Sequence, residues 1–245
     1  MKSQEGFATI MLLSLTPVLV AMGLALLFCF SFLKSDMAVL NVCRAGQLEV
    51  QNKVGKNLEK LLSLNPRALE LRSQHKQAEA QLDAAEASGN PYAIAAAEAN
   101  LVRVQMLREA LDVRQRALIE NSNMRFAFGT SKISRDLTQE WKHHNSAMTE
   151  WLQSDFQLLP ERIPHLAVKP DIPDVAPKYD LLPQFEEAQS WVHSWQIVIH
   201  GVGWTGNFLT FSGRFERSCS TSLYSEDEYW IAKLKKAKSS SKAWF

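Results

Sequence analysis

Histidine spacing is the first chemical question that this sequence raises, because clustered histidines can bind a metal ion. His193 and His200 are seven positions apart, so in one continuous strand their side chains point to opposite faces. His143 and His144 are adjacent, and adjacent side chains diverge on a helix. No Cys-x-x-Cys pair or third ligand with useful spacing completes either set. We therefore predict no metal and no cofactor.

A glycine cluster near the C-terminus has the spacing of a phosphate-binding loop. Gly201, Gly203 and Gly206 form a literal G-x-G-x-x-G, which in a dinucleotide site opens a helix within a βαβ unit. The strand-like segment NFLTF follows here, so we predict a turn between two strands. No G-x-S-x-G, H-E-x-x-H, P-loop or paired-carboxylate pattern occurs. The chain is therefore predicted not to be an enzyme.

The three cysteines have different surroundings in the sequence. Cys29 falls inside a long apolar run, where a thiol behaves as a small hydrophobic group. Cys43 and Cys219 would lie on the same side of a membrane. They either pair as a disulfide, if that side is oxidising, or remain two free buried thiols.

Composition divides the chain into three zones and excludes one class of partner. The net charge is +1, so no strong field favours nucleic acid as a partner. The first thirty-odd positions hold almost no charge, and all seven tryptophans lie at or after Trp141. These asymmetries indicate an apolar anchor, an aromatic-poor middle and an aromatic-rich end.

The apolar run has the length of a membrane span. After a leader at residues 1–6, residues 7–33 contain no charged side chain and give about 40 Å of helix. A secretory signal has a much shorter apolar region that ends in a small-residue cleavage site, which is missing here. We predict a retained transmembrane helix, kinked at Pro17. The small residues around Gly23 either pack against another helix or are incidental in a monomeric, lipid-facing anchor.

The segment EGFATIMLLSLTPVLVAMGLAL carries a family resemblance. It resembles the N-terminal segment of the TadE/TadG-like proteins of bacterial Flp (tight adherence) pilus assembly, in which glycine follows a polar leader and a proline interrupts the apolar run. Gly6, Pro17 and Gly23 occupy the corresponding places. The Gly6-Phe7 junction also resembles the prepilin-peptidase site of type IV pilins, but Met11 stands where those proteins have glutamate. The resemblance covers about the first forty residues and implies an uncleaved, TadG-like anchor.

Orientation follows from the lengths of the flanking segments. Charge barely distinguishes the two sides, because Lys2 is opposed by Glu5, and Lys34 and Arg44 are opposed by Asp36. The leader is very short and a long tail follows. We therefore predict a single-pass protein of the bacterial inner membrane, with a cytoplasmic N-terminus and a periplasmic C-terminal region.

Residues 34–123 have the periodicity of long amphipathic helices. Asn65 and Pro66 read as the N-cap and first residue of a helix, and S-G-N-P at 88–91 predicts a tight turn. The helices on either side of that turn are predicted to form a coiled-coil-like hairpin. Its assembly seam is Leu71, Leu82, Leu101, Val104, Leu111 and Leu118. The polar residues at seam positions are His75, Arg108 and Gln115, so we expect a further partner, which is another helix of this chain or another subunit.

The last part of the chain changes character twice. Residues 124–159 suggest one more amphipathic helix, in which Leu137, Trp141, Ala147 and Trp151 form the apolar face. Residues 160–184 hold six of the nine prolines and are predicted to be an extended linker or a loop wrapped around a small domain. Residues 185–245 are predicted to form a small, aromatic-rich β domain.

These observations predict an α+β protein: a transmembrane helix, an extended helical hairpin and a small C-terminal domain that contains strands. The resemblance implies a structural component of a pilus or secretion apparatus. Its expected partners are membrane lipid, other membrane or pilus-assembly subunits and, in a homo-oligomer, a second copy. Two alternatives stand beside it: an anchored envelope hydrolase with an unrecognised site in the tryptophan-rich end, and a coiled-coil envelope spacer unrelated to pili.

Overall fold

The architecture is a long helical rod against which a second helix and a sheet are packed. The computed structural model describes residues 3–145, 152–201, 212–226 and 229–235. Its elements in chain order are α1 (Ser3–Ser63), α2 (Asn65–Ser88), α3 (Pro91–Asn145), β1 (Leu152–Leu158), β2 (Val168–Pro170), β3 (Tyr179–Leu181), α4 (Phe185–Ala188), β4 (Trp191–Gly201), β5 (Ser212–Glu226) and β6 (Tyr229–Leu234). The mixed helix and sheet class predicted from the sequence is confirmed.

Helices α1 and α2 form an almost continuous rod. Leu64, between them, has helical backbone angles, and its carbonyl accepts the Ala68 N–H at 3.0 Å. Asn65 is not the predicted N-cap. Its side-chain amide instead donates to the Tyr179 carbonyl and accepts the Tyr179 N–H, both at 2.9 Å. The asparagine side chain therefore satisfies both backbone groups of Tyr179, as a paired strand would, and holds the start of β3 and the loop before it.

The turn predicted at residues 88–91 is confirmed. Gly89 ends α2 in the left-handed conformation, with φ of 65°, and its N–H bonds to the Glu86 carbonyl. Glycine adopts this conformation without the steric cost that a Cβ imposes. Pro91 then begins α3, where its missing N–H costs no helical hydrogen bond. Helix α3 runs back antiparallel along the rod, first beside α2 and then beside α1.

Two predicted boundaries are wrong. Helix α3 continues through residues 123 and 124, so no separate helix begins there. The helix predicted to reach residue 159 ends at Asn145, and residues 152–158 form β1. Strand β1 pairs with β4 over its whole length, and this long-range pairing overrides the local helical pattern. Of the predicted apolar face, Leu137 and Trp141 are buried, whereas Ala147 and Trp151 lie outside the described residues.

The four larger strands form one antiparallel sheet in the order β1-β4-β5-β6. The sequence predicted β4 and β5 as two strands around a glycine turn, and these strands do pair, from Trp191 opposite Thr221 to His200 opposite Ser212. The turn itself, at residues 202–211, lies outside the described residues. One face of the sheet packs on α1 and α3.

The core lies between this sheet face and the two helices. The sheet contributes Trp191, Trp195, Ile197 and Leu223, and the helices contribute Val54, Leu58, Leu61, Phe126 and Leu137; all of these side chains are fully buried. Burying each large side chain contributes roughly 1.5–3 kcal/mol. At Gly129, a Cβ would lie 2.9 Å from both Trp191 Cη2 and Val50 Cγ2. Glycine at this position therefore allows α3 to approach the sheet and α1 closely.

The proline-rich segment at residues 160–184 is a packed loop rather than a free linker. It contains the two-stranded ribbon of β2 and β3, and its buried residues are Pro164, Leu166, Ala167, Ala176, Pro177 and Tyr179. Of the two alternatives that the sequence left open, the wrapped loop describes the segment. The surface that it covers includes α2 and α3 as well as the sheet end.

Candidate functional site

Helix α1 carries a long apolar surface that no other described element covers. Every residue from Met11 to Leu27 is exposed. In the part of the chain that the structure describes, one helix is long and apolar enough to cross a membrane, and it is this one, near the N-terminus. A hydrophobic surface of this length in water would be costly, and lipid removes the cost.

The apolar surface narrows to one side of α1 where this helix meets the folded body. Phe28 and Phe32 pack against the core cluster, and the Phe32 ring centroid lies 5.2 Å from that of Phe215 in β5. Residues 7–27 give about 31 Å of helix, close to the ~30 Å thickness of a bilayer's hydrocarbon core. In the last turns of the predicted span of residues 7–33, Phe28 and Phe32 contact protein, whereas Phe30 and Leu33 stay exposed.

The predicted anchor residues lie in one unbroken helix. Gly6 and Phe7 fall within α1, as do Pro17 and Gly23. The helix continues through Pro17, although proline lacks the N–H that would bond to the carbonyl four residues earlier. At Gly23, no atom lies within 4 Å of the place that a Cβ would occupy. This side of the anchor is therefore uncovered within the chain.

A disulfide and an ion pair join α1 to the sheet just beyond the apolar surface. Cys43 of α1 and Cys219 of β5 form a disulfide, with their Cα atoms 6.3 Å apart. Two turns of α1 closer to the anchor, Asp36 Oδ2 lies 3.1 Å from Arg217 Nη2. Burial raises the pKa of Asp36, and the Arg217 cation opposes that rise. These two links fix the direction in which the anchor leaves the body.

A buried polar chain crosses the interior between α1 and β4. Gln47 donates from Nε2 to the Trp191 carbonyl at 3.2 Å, and the same nitrogen lies 2.9 Å from His193 Nδ1. Because a carbonyl only accepts, Nε2 is the amide nitrogen, and Nδ1 is the acceptor of its second hydrogen. The neutral His193 ring therefore carries its proton on Nε2, which faces Glu161.

Glu161 and His193 form the most perturbed titratable pair in the described chain. Glu161 Oε2 lies 3.0 Å from His193 Nε2, although the two atoms are not well aligned for a hydrogen bond. Burial raises the pKa of Glu161 to about 8, and the Ser194 N–H partly opposes this rise. Burial lowers the pKa of His193 to about 4. Perturbed pairs of this kind occur in active sites, but they also occur in structural networks.

Exposure to solvent helps to distinguish a catalytic pair from a pair in a structural network. The Glu161 side chain is 9% exposed and that of His193 is fully buried, so within the described residues little of either side chain is open to solvent. An open depression of about 420 Å³ lies elsewhere, beside α4 and β6, and its lining residues are Gln184, Phe185, Glu186, Glu187, Ser225 and Trp230. Among these described lining residues, no histidine stands beside Ser225 to act as a base. Among the described residues, no group of three His, Cys, Asp or Glu side chains could hold a metal ion.

The polar residues at seam positions of α3 bind the proline-rich loop. Arg108 donates to Asp174 Oδ2 at 2.5 Å and to the Val175 carbonyl at 3.0 Å. Gln115 donates to the Pro177 carbonyl at 3.0 Å. The expected further partner of these two side chains is therefore a loop of the same chain. His75 is half-buried on α2, 3.4 Å from Glu79.

The predicted assembly seam lies inside the helix pair. Leu71, Val104 and Leu111 are buried, and the half-buried members are Leu82, Leu101 and Leu118. Leu71 and Leu111 pack together with Ala68 and Ala176 in a small separate cluster. Its buried members therefore pack within one chain, and its half-buried members keep part of their surface exposed.

Sequence reasoning missed Glu161 and the buried glutamines of α1. Cys43, Gln47, Val54, Leu58 and Leu61 share one helical face at spacings of three, four and seven, so periodicity alone could have placed Gln47 in the core. Glu161 carried no such signal, because it stands in an irregular segment and meets His193 only through the fold.

Comparisons with protein-family models, with curated proteins and with solved structures found no match for this chain.

Proposed function

We propose that this chain is a single-pass, membrane-anchored structural component of a bacterial pilus or secretion assembly, similar to the TadE/TadG-like proteins. Its work is non-enzymatic. The observation that carries the proposal is the continuity of α1, whose exposed apolar turns pass without a break into the buried core of the body. Because the helix is continuous, it holds the helices and sheet that follow at a fixed position relative to the membrane.

The N-terminal pattern supports the pilus assignment. Gly6, Pro17 and Gly23 stand where the TadE/TadG-like segment has its glycine, proline and small residue. The disulfide supports a location outside the cytoplasm, because disulfides persist in oxidising compartments such as the bacterial periplasm. We therefore place the N-terminus in the cytoplasm of an inner-membrane protein and the body in the periplasm.

The mechanism follows from the shape. The anchor packs in the bilayer beside lipid or other transmembrane helices. The disulfide-linked helix and sheet body stands at the membrane surface. The tip of the α2–α3 pair extends from the level of Leu71 to Gly89, about 27 Å by helical rise, and presents helix surface to other subunits.

Loss of the gene in its own bacterium tests the assembly role. We expect surface pili, counted by electron microscopy, to disappear and to return with the wild-type gene. The variant Leu19→Arg/Leu24→Arg should fail to restore them, because charge in the middle of a span opposes insertion by about 2.5–3.5 kcal/mol per arginine. Leu69→Arg, at an exposed leucine of α2, is the matched control and should restore them. Normal pili in the disrupted strain would contradict the assembly role and leave the anchor untouched.

A further inference from the structure

Helix α3 has a second apolar face, opposite the one that packs on α1 and α2. Its buried face includes Val104, Leu111 and Phe126. The exposed positions of the opposite face are Ala99, Val102, Met106, Ala110, Val113, Ala117, Asn121, Met124 and Phe128, which we call the outer stripe. Val113 is 68% exposed and Phe128 is 73% exposed. Apart from Asn121, no member of the outer stripe is polar.

The spacing of the outer stripe repeats every eleven residues. Its intervals are three, four and four, and the order then recurs at Ala110 and again at Asn121. Eleven residues in three turns is 3.67 residues per turn, so the stripe stays on one side of a nearly straight helix. From Ala99 to Phe128 it extends about 44 Å. Intervals of three and four are those of the contact positions between paired helices.

The charges that border the outer stripe have the same period. Glu98, Glu109 and Glu120 precede each repeat on one border, and on the other border the charged residues are Arg103, Arg114 and Arg125. None of these six forms an ion pair within the part of the chain that the structure describes. Each glutamate lies five positions before an arginine.

We propose that the outer stripe binds the outer stripe of a second copy of this chain, with the two α3 helices parallel and in register. In a parallel pair, a residue on one border faces the residue five positions later on the other helix. Glu98 then faces the partner's Arg103, and the two later repeats pair in the same way. An antiparallel pair would instead place glutamates opposite glutamates and arginines opposite arginines. The charge pattern of this one helix is therefore complementary to itself in the parallel orientation only.

The parallel orientation is also the one that two copies in a single membrane present. The argument from the shared membrane rests on the proposed function, because it assumes that both copies are anchored. The argument from the charge pattern does not depend on that function. Helix α1 lies on the other side of α3 from the outer stripe, so three helix spacings of 8–10 Å separate the two anchors. The anchors therefore remain about 25–30 Å apart, each surrounded by lipid.

Cysteine crosslinking of the full-length protein in membranes tests the contact. In a Cys29→Ser background, Val102→Cys and Val113→Cys should each form a disulfide-linked dimer on oxidation, because the pairing brings two-fold related stripe positions together and a disulfide needs Cβ atoms about 4 Å apart. Lys76→Cys, exposed on α2, and Gly23→Cys, in the anchor, are the controls and should remain monomeric. Dimers through Gly23→Cys without dimers through Val113→Cys would overturn the proposal. Crosslinking of Val102→Cys only to Met124→Cys would show an antiparallel pair and also overturn it.

Charge reversal tests the orientation without touching the helix core. Glu98→Arg/Glu109→Arg/Glu120→Arg and Arg103→Glu/Arg114→Glu/Arg125→Glu, each carrying Val113→Cys, should lose at least about tenfold in crosslinked dimer. A mixture of the two triple variants should recover it, since each then supplies the charge that the other needs. Circular dichroism of each variant alone checks that it is folded. Equal crosslinking in all samples, or no recovery in the mixture, would contradict the pairing, whether or not the protein takes part in pilus assembly.

Discussion

The carboxyl oxygen Oε2 of Glu161 lies 3.0 Å from Nε2 of His193, in an interior that solvent barely reaches. Burial disfavours the charged form of both groups. It raises the pKa of Glu161 to about 8 and lowers that of His193 to about 4, so both are neutral over most of the range between. The pair therefore lies in the packed interior, where Gln47 Nε2 donates to His193 Nδ1.

This pair predicts how stability depends on pH. The Glu161 contribution is complete below about pH 4.5, its ordinary pKa, and is lost as the pH rises to about 8. The His193 contribution is complete above about pH 6.5 and is lost as the pH falls toward 4. Between pH 4.5 and 6.5, a rise in pH lowers the stability contributed by Glu161 and raises that contributed by His193. Above pH 6.5, of this pair only the Glu161 contribution still changes. The free energy of unfolding should therefore fall between pH 6.5 and 8, by up to about 2 kcal/mol.

Denaturant unfolding of the full-length protein in detergent measures this fall. Glu161→Gln should abolish most of it, because the amide does not ionise. Glu187→Gln, at an exposed residue of α4, is the matched control and should keep the wild-type profile. If the unfolding free energy of Glu161→Gln falls with pH as steeply as that of the wild type, Glu161 is not the source of the pH dependence.

Loss of the disulfide should destabilise the body strongly. Cys43 and Cys219 are 176 positions apart, and closing a loop of this length restricts the unfolded chain by about 5 kcal/mol in the chain-entropy model. We expect Cys43→Ser to lower the melting temperature markedly. Cys29→Ser removes an exposed thiol and should leave it unchanged. Equal melting temperatures for the two variants would mean that the bond does not constrain the fold.

Gly129 should not tolerate a methyl group, whereas Gly23 should. A Cβ at Gly129 meets Trp191 and Val50 at 2.9 Å, so Gly129→Ala forces the core apart at a cost of about 1–3 kcal/mol. The same change at Gly23 meets nothing within 4 Å and should leave the unfolding free energy of the body unaltered. Thermal unfolding of both variants makes the comparison. A harmless Gly129→Ala would indicate that α3 sits further from the sheet.

Arg108 should hold the proline-rich loop on α3. Its side chain is 8% exposed and bonds both Asp174 and the Val175 carbonyl, so Arg108→Ala removes a charge-assisted hydrogen bond and leaves the Val175 carbonyl without this donor. We expect a loss of about 1–3 kcal/mol and faster proteolysis within residues 160–184. Arg67→Ala removes an exposed ion pair and should change stability by less than about 1 kcal/mol. Unchanged proteolysis of Arg108→Ala would mean that the loop is held elsewhere.

The sequence predicted correctly those elements that depend on the conformational preferences of neighbouring residues. Gly89 and Pro91 carry turn and helix-start chemistry in their own backbone preferences, and the structure has the predicted turn there. The apolar run before Lys34 likewise has a composition that only a long hydrophobic helix explains. Asn65 is a residue type that is common at N-caps. Its side chain instead bonds the backbone carbonyl and N–H of Tyr179, which is distant in sequence.

The errors fall where distant pairing decides the structure. The segment that contains β1 continues the helical pattern of α3, yet it pairs with β4 some forty residues later. Glu161 meets His193 only after that sheet forms. The hairpin seam was found from its periodicity, whereas the outer stripe on the reverse of α3 was not, because a period of eleven differs from the seven-residue pattern of the seam.

The proposed topology is the central claim, and fusion reporters after Phe245 test it most directly. Alkaline phosphatase folds only outside the cytoplasm, and green fluorescent protein fused in the same way fluoresces only inside it. We predict an active phosphatase fusion, a dark fluorescent fusion and membrane-bound protein in both cases. A fluorescent fusion with inactive phosphatase would place the body in the cytoplasm and contradict the account.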